Sequence, residues 1–417
     1  MLLLHGSGRP RVSPVDRDVP NVQIPPLTEL LPAEPLLLMT AGPVPVPMAV
    51  ARAGGLVINH VGESMNMLLR HIKEMSRYTF QTNDDKILGV SGPASAAMEM
   101  AVGNLLWPGR KALVLQGGWF GSRFQEMAIG VGAEVDMLSV EEGVPVTADL
   151  VKEKLSQGTY DIVTMVQGET SCGVWTVELP EIVRLCNEHG AMCIVDAVCT
   201  LSTMPLKKDK LAIDVVLTGS QKGLSSLPGV ALIAFSDAAW EVMEKRPEPR
   251  PHWCLNVLRA QKFWGDHEYH YTAPVSGLLA LHEALRLICE ETLEKRFKRH
   301  LQCSLALQAG LEAMGMTLAV PPEHRLNSVV AINTPAEVDP VEARTYMSRM
   351  FKVEISGAFG LDILRIGQMG EQCRAPNLFR VLHALGVAVA KQGFKVNQGA
   401  GMAALESHLA DHAEDIL

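Results

Sequence analysis

MCIVDAVCTLSTMPLKKDKLAIDVVLTGSQKGLSSLPGVALIAF, residues 192–235, holds three short apolar runs rich in β-branched residues: MCIVD, DVVLT and VALIAF. Runs of five or six such residues bounded by turn formers read as strands. Eleven residues separate DVVLT from VALIAF. That is too few for a helical crossover, so these two strands are expected to run antiparallel. Upstream the same rhythm recurs in ILGV (87–90), ALVLQ (112–116), EVDMLSV (134–140) and DIVTMV (161–166). Stretches with helical spacing lie between them, such as ASAAMEMAVGNLL (94–106) and LPEIVRLCNEHG (179–190). Strands alternating with helices predict an α/β fold: a mostly parallel, seven-stranded sheet covered on both faces.

Downstream, residues 275–315 read as one long helix. SVVAINTP, FKVEIS and DILRIGQMG then look strand-like, with helical NLFRVLHALGVAVAKQG and GMAALESHLADHAEDIL after them. A smaller C-terminal α+β domain is expected. The first 47 residues carry ten prolines, which excludes a regular helix or central strand. The expected organisation is an extended arm over 1–47, a large domain over 48–290 and a small domain over 291–417. Residues 1–20 read as a disordered tail.

The 417 residues are 47% apolar and 20% charged, as in ordinary globular proteins. A net charge of −9 argues against a nucleic-acid or anionic-membrane partner, which would need a concentrated basic face. No apolar run reaches the roughly 18 residues of a membrane span. The eight cysteines form no CxxC pair, so neither a metal site nor a disulfide framework is expected, and reduced thiols suggest a cytoplasmic protein. MLLLHGSGRPRV is too short in its apolar part for a secretory signal. Residues 1–15 are basic and lack acid, which leaves a cleaved organellar leader open.

Chemistry concentrates where two of the opening strands end. Lys222 follows DVVLT in a turn rich in glycine and serine, at the sheet edge where α/β proteins bind ligands. Alone it could be a solvated turn lysine. Asp196 ends the apolar run MCIVD, 26 residues upstream. A carboxylate there needs a cation or a helix to cap. Together the two match the needs of pyridoxal phosphate, which a lysine holds as a Schiff base while an acid keeps its ring nitrogen protonated.

From residue 36 to 395 the chain resembles the class V, fold-type I aminotransferases. The likeness is to the alanine–glyoxylate and serine–glyoxylate enzymes, with pyridoxamine–pyruvate aminotransferase as a neighbour. Eight segments carry it in family order: TAGPVPVP (40–47), SGPASAAMEMA (91–101), GGWFG (117–121), GETSCG (168–173), VDAV (195–198), GSQK (219–222), YHYTAPV (269–275) and LRIGQMG (364–370). The resemblance implies a fold-type I transferase with bound pyridoxal 5'-phosphate. It implies Lys222 and Asp196 as catalytic groups. Pro93, Ala94 and Ser95 would stand at the phosphate, with Phe120 stacked on the ring. Thr170 would lie near the ring's phenolic oxygen, and Gln221 at the phosphate. Tyr269 and Thr272 would reach that phosphate from the neighbouring subunit, making a homodimer with shared sites. Arg365, and Gly42 in the first segment, would meet the substrate carboxylate.

The residues alone leave plainer roles open: an N-cap for Ser95, core packing for Phe120, a surface loop for Tyr269, an ion pair for Arg365. The implied activity is two-stage transfer of an amino group from an alanine- or serine-type amino acid to glyoxylate or pyruvate. Against a pyridoxamine–pyruvate enzyme, Ala358 falls where that enzyme's extra arginine would stand, and Pro93 replaces its acid. Against a cysteine desulfurase, Gln221 rather than histidine precedes Lys222, and Cys373 follows Arg365 instead of preceding it. A nicotinamide dehydrogenase would need GxGxxG after an early strand. GSG (6–8) has none before it. Phe359 and NHVGESM (59–65) remain candidates for shaping the pocket.

Overall fold

In a computed structural model, residues 24–358 and 360–416 are described. The expected tail, the basic stretch 1–15 and Phe359 lie outside the described residues. Of the first 35 residues, 24–35 hold one short helical turn, Leu27–Leu30. The remainder, from Leu36, forms a separate unit.

That unit is built on a seven-stranded sheet: β1 (Ile87–Ser91), β2 (Lys111–Gln116), β3 (Glu134–Ser139), β4 (Ile162–Val166), β5 (Met192–Asp196), β6 (Val215–Gly219) and β7 (Val230–Phe235), in the spatial order β1-β7-β6-β5-β4-β2-β3. β7 runs antiparallel to both of its neighbours. All other pairs are parallel. The short connection from DVVLT to VALIAF thus does what its length requires. Every residue of β4, β6 and β7 is buried, as parallel sheets covered on both faces demand. β3, at the edge, is only partly buried and ends in Glu134 and Ser139. Helices α1 (Ala94–Leu105) and α2 (Trp119–Gly130) follow β1 and β2 and pack into the same apolar cluster.

Register decides where chemistry can occur. Asp196, the last residue of β5, pairs with Val166 and Leu217. The carboxyl ends of β4, β5 and β6 therefore stand side by side, and the turns leaving them share one edge.

A second apolar cluster, including Leu307, Leu311, Ile332, Leu364, Ile366 and Leu385, underlies the C-terminal third. α3 (Val275–Glu291) precedes it and α4 (Leu293–Met314) contributes to it. Its sheet is antiparallel, ordered β8 (Val329–Asn333), β10 (Ile363–Gly367), β9 (Ser356–Gly357). α5 (Ala375–Ala390) and α6 (Gln398–Asp411) pack with each other and with α4 in the same cluster. Leu37–Leu38 of the proline-rich segment pairs in parallel with Val353–Glu354.

The single long helix expected over 275–315 is in fact two. Thr292 breaks it at φ 71°, a left-handed conformation that a β-branched residue adopts only under constraint. Its hydroxyl accepts from Lys295 N at 3.4 Å and so caps α4. Apolar spacing continues through the break, which is why periodicity did not show it. Among the described residues no helix is long and apolar enough to cross a membrane.

Candidate active site

Lys222 lies three residues beyond β6, and its Nζ donates to the Ala41 carbonyl. Burial pushes its amine below the ordinary lysine range, and the charges of Arg365 and Arg123 push the same way. Gly42 stands directly over the amine. At φ +103°, a Cβ there would be strained and would sit 2.5 Å from Lys222 Nζ, so any other residue would displace the amine. The segment carrying Gly42 is pinned on several sides. Val44 N donates to Gln221 O (3.1 Å) and Gly367 N to Met39 O (2.8 Å). Gln372 Nε2 donates to Thr40 O (2.7 Å), and Ala41 N to Ser356 Oγ (3.1 Å).

Asp196 is 4% exposed. Burial raises its carboxyl to about 7, with the Glu169 charge adding to the effect and a hydrogen bond from Val198 N (2.8 Å) opposing it. Among the described residues no cation forms an ion pair with it, so the arginine-paired alternative is set aside. A buried carboxylate without a counter-ion is costly, and this one faces a cavity.

The atom-free space of that cavity, open solvent at its mouth included, is about 520 Å³. Its wall includes Pro93, Ala94, Ser95, Phe120, Thr170, Asp196, Gln221 and Lys222. Pro93 is the residue before α1 and offers no side-chain cap. The first N–H groups of a twelve-residue helix thus open on the cavity, a favourable place for an anion. Ser95 Oγ accepts from Arg123 Nη1 at 2.9 Å. The Arg123 guanidinium lies 4.7 Å from the centre of the Phe120 ring. Gln221 Oε1 is buried with no hydrogen-bond partner among the described residues.

Arg365, in β10, is 7% exposed and pairs with no carboxylate among the described residues. Its Nε donates to Gly357 O at 2.8 Å, Nη2 donates to the same oxygen, and Nη1 donates to Thr170 O at 2.5 Å. It abuts the wall through Thr170. Tyr269 and Thr272 are not brought to this cavity. Tyr269 is 64% exposed, with its ring 5.8 Å from that of His60. Thr272 is also exposed. The segment 59–65 does not line the cavity either.

Sequence reasoning missed three polar wall or support residues: Arg123, Cys199 and Glu169. Arg123 was in view, one helical turn after Phe120. Cys199 lines the cavity, with its Sγ 3.1 Å from Gly168 O. Its thiol is raised to about 12 by burial. Glu169, inside GETSCG, is a buried carboxylate whose Oε2 accepts from Phe120 N (3.1 Å) and Gly121 N (3.2 Å), while Oε1 accepts from Ser171 Oγ (2.6 Å). It caps α2 and so sets where the Phe120 ring lies.

A sequence model of the family described as aminotransferase class-V matches residues 51–376. The alanine–glyoxylate aminotransferase of Oryctolagus cuniculus is 35% identical over 358 residues, covering 84% of this chain and 91% of that protein. Among solved structures, the ureidoglycine–glyoxylate aminotransferase of Bacillus subtilis superposes with a TM-score of 0.87 at 30% identity, covering 91% of this chain and 99% of that one. The pyridoxamine–pyruvate aminotransferase of Mesorhizobium loti gives 0.86 at 26% identity, covering 91% and 98%.

Proposed function

Because the chain belongs to the class-V aminotransferases, we propose that it moves an amino group from a small amino acid of the alanine or serine type to a small 2-oxo acid, glyoxylate or pyruvate. The transfer runs in two half-reactions with pyridoxal 5'-phosphate held at Lys222. One observation carries the reading: a half-buried lysine amine and a buried carboxylate with no ion-pair partner among the described residues line the same cavity, beneath the open end of α1.

The donor set suits that cofactor. Ala94 and Ser95 N–H groups, the Ser95 hydroxyl and the Arg123 cation would hold its phosphate. The Gln221 amide, whose Oε1 has no hydrogen-bond partner among the described residues, lines the same wall as the amine. The Phe120 face would cover the ring, and Asp196 would pair with the ring nitrogen. Bound there, the cofactor supplies an aldehyde for the Lys222 amine and a cationic ring that takes up electrons from the substrate's Cα.

The chain's own groups do the rest. Burial lowers the basicity of the Lys222 amine, which favours its taking a proton from Cα and returning it one atom further on. Arg365 would exchange its carbonyl partners for the substrate carboxylate, a fork meeting a fork. Gly42 leaves room over the amine where any side chain would stand.

Tyr269 and Thr272 stand exposed and away from their own cavity, which suits contact with a second subunit's phosphate and a homodimer with shared sites. Unbridged thiols suit the cytoplasm. A pyridoxamine substrate is disfavoured by Ala358, which packs among apolar residues and offers no charge. Desulfurase chemistry is disfavoured by Cys373, which is buried and bonded to Gln368 O at 3.0 Å. The test is a screen of amino donors against glyoxylate and pyruvate with the purified protein. Alanine or serine should yield its keto acid, and Lys222→Ala should abolish both that product and the visible absorbance of bound cofactor. Absence of keto acid from every donor overturns the proposal.

A further inference from the structure

Glu291 ends α3, and its carboxylate sits between two guanidiniums from the first turns of α4. It accepts from Arg296 Nη1 at 2.7 Å and from Arg299 Nε and Nη2 at 2.6 and 3.0 Å. The two arginines are 3% and 2% exposed. Burial alone would raise the Glu291 carboxyl, but the paired cations hold it at about 2. The triad therefore stays charged through any working pH. Buried ion pairs add little net stability over apolar packing, so the destination of the remaining donors is informative.

Those donors go to two turns. Arg296 Nη2 donates to Gly223 O, the residue after Lys222, at 2.7 Å. Its Nε donates to Ser202 Oγ (3.3 Å), which donates to the same carbonyl at 2.8 Å. Arg299 Nη1 donates to Gly370 O (3.0 Å) and Cys373 O (2.7 Å), in the turn leaving the strand that carries Arg365. His300 holds the other side of that turn, its Nε2 accepting from Gly370 N at 2.9 Å. None of these side chains lines the cavity.

We propose that Glu291, Arg296 and Arg299 form a positioning clamp that fixes the Lys222 turn against the Arg365 turn, so that base and carboxylate anchor keep one separation. The inference rests on the aminotransferase reading for what the clamp serves. That reaction needs one group at Cα while another holds the carboxylate, and a misplacement of about 1 Å can cost on the order of a hundredfold in rate. Arginine suits the clamp because its rigid planar fork aims separate donors at a carboxylate and a carbonyl in fixed directions, whereas an ammonium is a compact point charge whose donors rotate.

The clamp predicts a split between two conservative variants. In the holoenzyme, Arg296→Lys lowers kcat roughly ten- to a hundredfold and leaves the donor KM within about twofold. Arg299→Lys chiefly raises the donor KM, by about tenfold. In the cofactor-free Arg296→Lys protein, reductive methylation of Lys222, read by peptide mass spectrometry, speeds several-fold because its turn is loosened. Val389→Ala, in the α5 core, is the comparison for lost stability alone. Should Arg296→Lys fail to fold, Ser202→Ala removes only the relay hydroxyl and carries the same test in smaller measure. The clamp is overturned if kcat and KM move no further than in Val389→Ala at matched thermal loss, with Lys222 labelling unchanged. A wild-type protein that transaminates nothing overturns the functional reading instead, and the labelling rate still decides the clamp.

Discussion

Asp196 and Lys222 share one cavity, and each is shifted in the direction that leaves it uncharged: the carboxyl up to about 7, the amine down, burial being the chief cause in both. For Asp196 this is also a statement about stability. Between about pH 4 and 7 the folded, cofactor-free chain keeps a proton on Asp196 that the unfolded chain has released. Stability therefore falls as pH rises through that window. Asp196→Asn removes the penalty. The cofactor-free variant should be more stable than wild type at pH 8, by on the order of 3 kcal/mol, with the gap closing at pH 4. Urea unfolding at the two pH values checks this, and an equal gap at both would sink it. The same variant should lose about 10²–10³ in kcat, because an amide cannot hold a ring nitrogen cationic.

At the scale of elements, two helices are aimed at the cavity by what lies at their N-termini. α1 is left open by Pro93, whereas α2 is closed by Glu169. Gly118, just before α2, has no room for a side chain: a Cβ there would lie 2.5 Å from Glu169 Cγ and 2.6 Å from Ser171 Oγ. Those atoms cannot retreat without releasing the N–H groups of Phe120 and Gly121. Gly118→Ala should cost roughly 1–3 kcal/mol of stability and displace the aromatic ring. Thermal melting should show the first effect and weakened cofactor affinity the second. A variant that melts and binds like wild type would mean that Glu169 is free to move.

At the scale of the molecule, the site borrows from distant chain segments. Arg365 reaches Thr170 across 195 residues of sequence, and Lys222 reaches Ala41 across 181. The shared-site reading extends this to a second subunit. Tyr269→Phe should change folding stability by less than about 0.5 kcal/mol, since the ring is exposed in the single chain. It should still weaken cofactor binding by about tenfold, because a hydrogen bond to a charged phosphate is worth roughly 1.5–3 kcal/mol. Equilibrium titration with the cofactor decides, and unchanged affinity would place the phosphate's partners elsewhere.

Strand rhythm, the antiparallel pairing of β6 with β7 and the placement of Asp196 and Lys222 at or just past strand ends were all legible in the sequence. Each depends on side-chain period or on the length of one connection, and both are local quantities. The break at Thr292 was not legible, because the apolar spacing runs through it and only the cap and the arginines around Glu291 select a left-handed residue there. Nor were the roles of Glu169, Arg123, Arg296 and Arg299. Their partners are backbone groups and side chains that only tertiary packing brings within reach. The sequence by itself determined which chemistry the chain carries. The tertiary structure alone decided what holds those groups in place, because a hydrogen bond's distance and direction are set by packing between segments that have no fixed spacing along the chain.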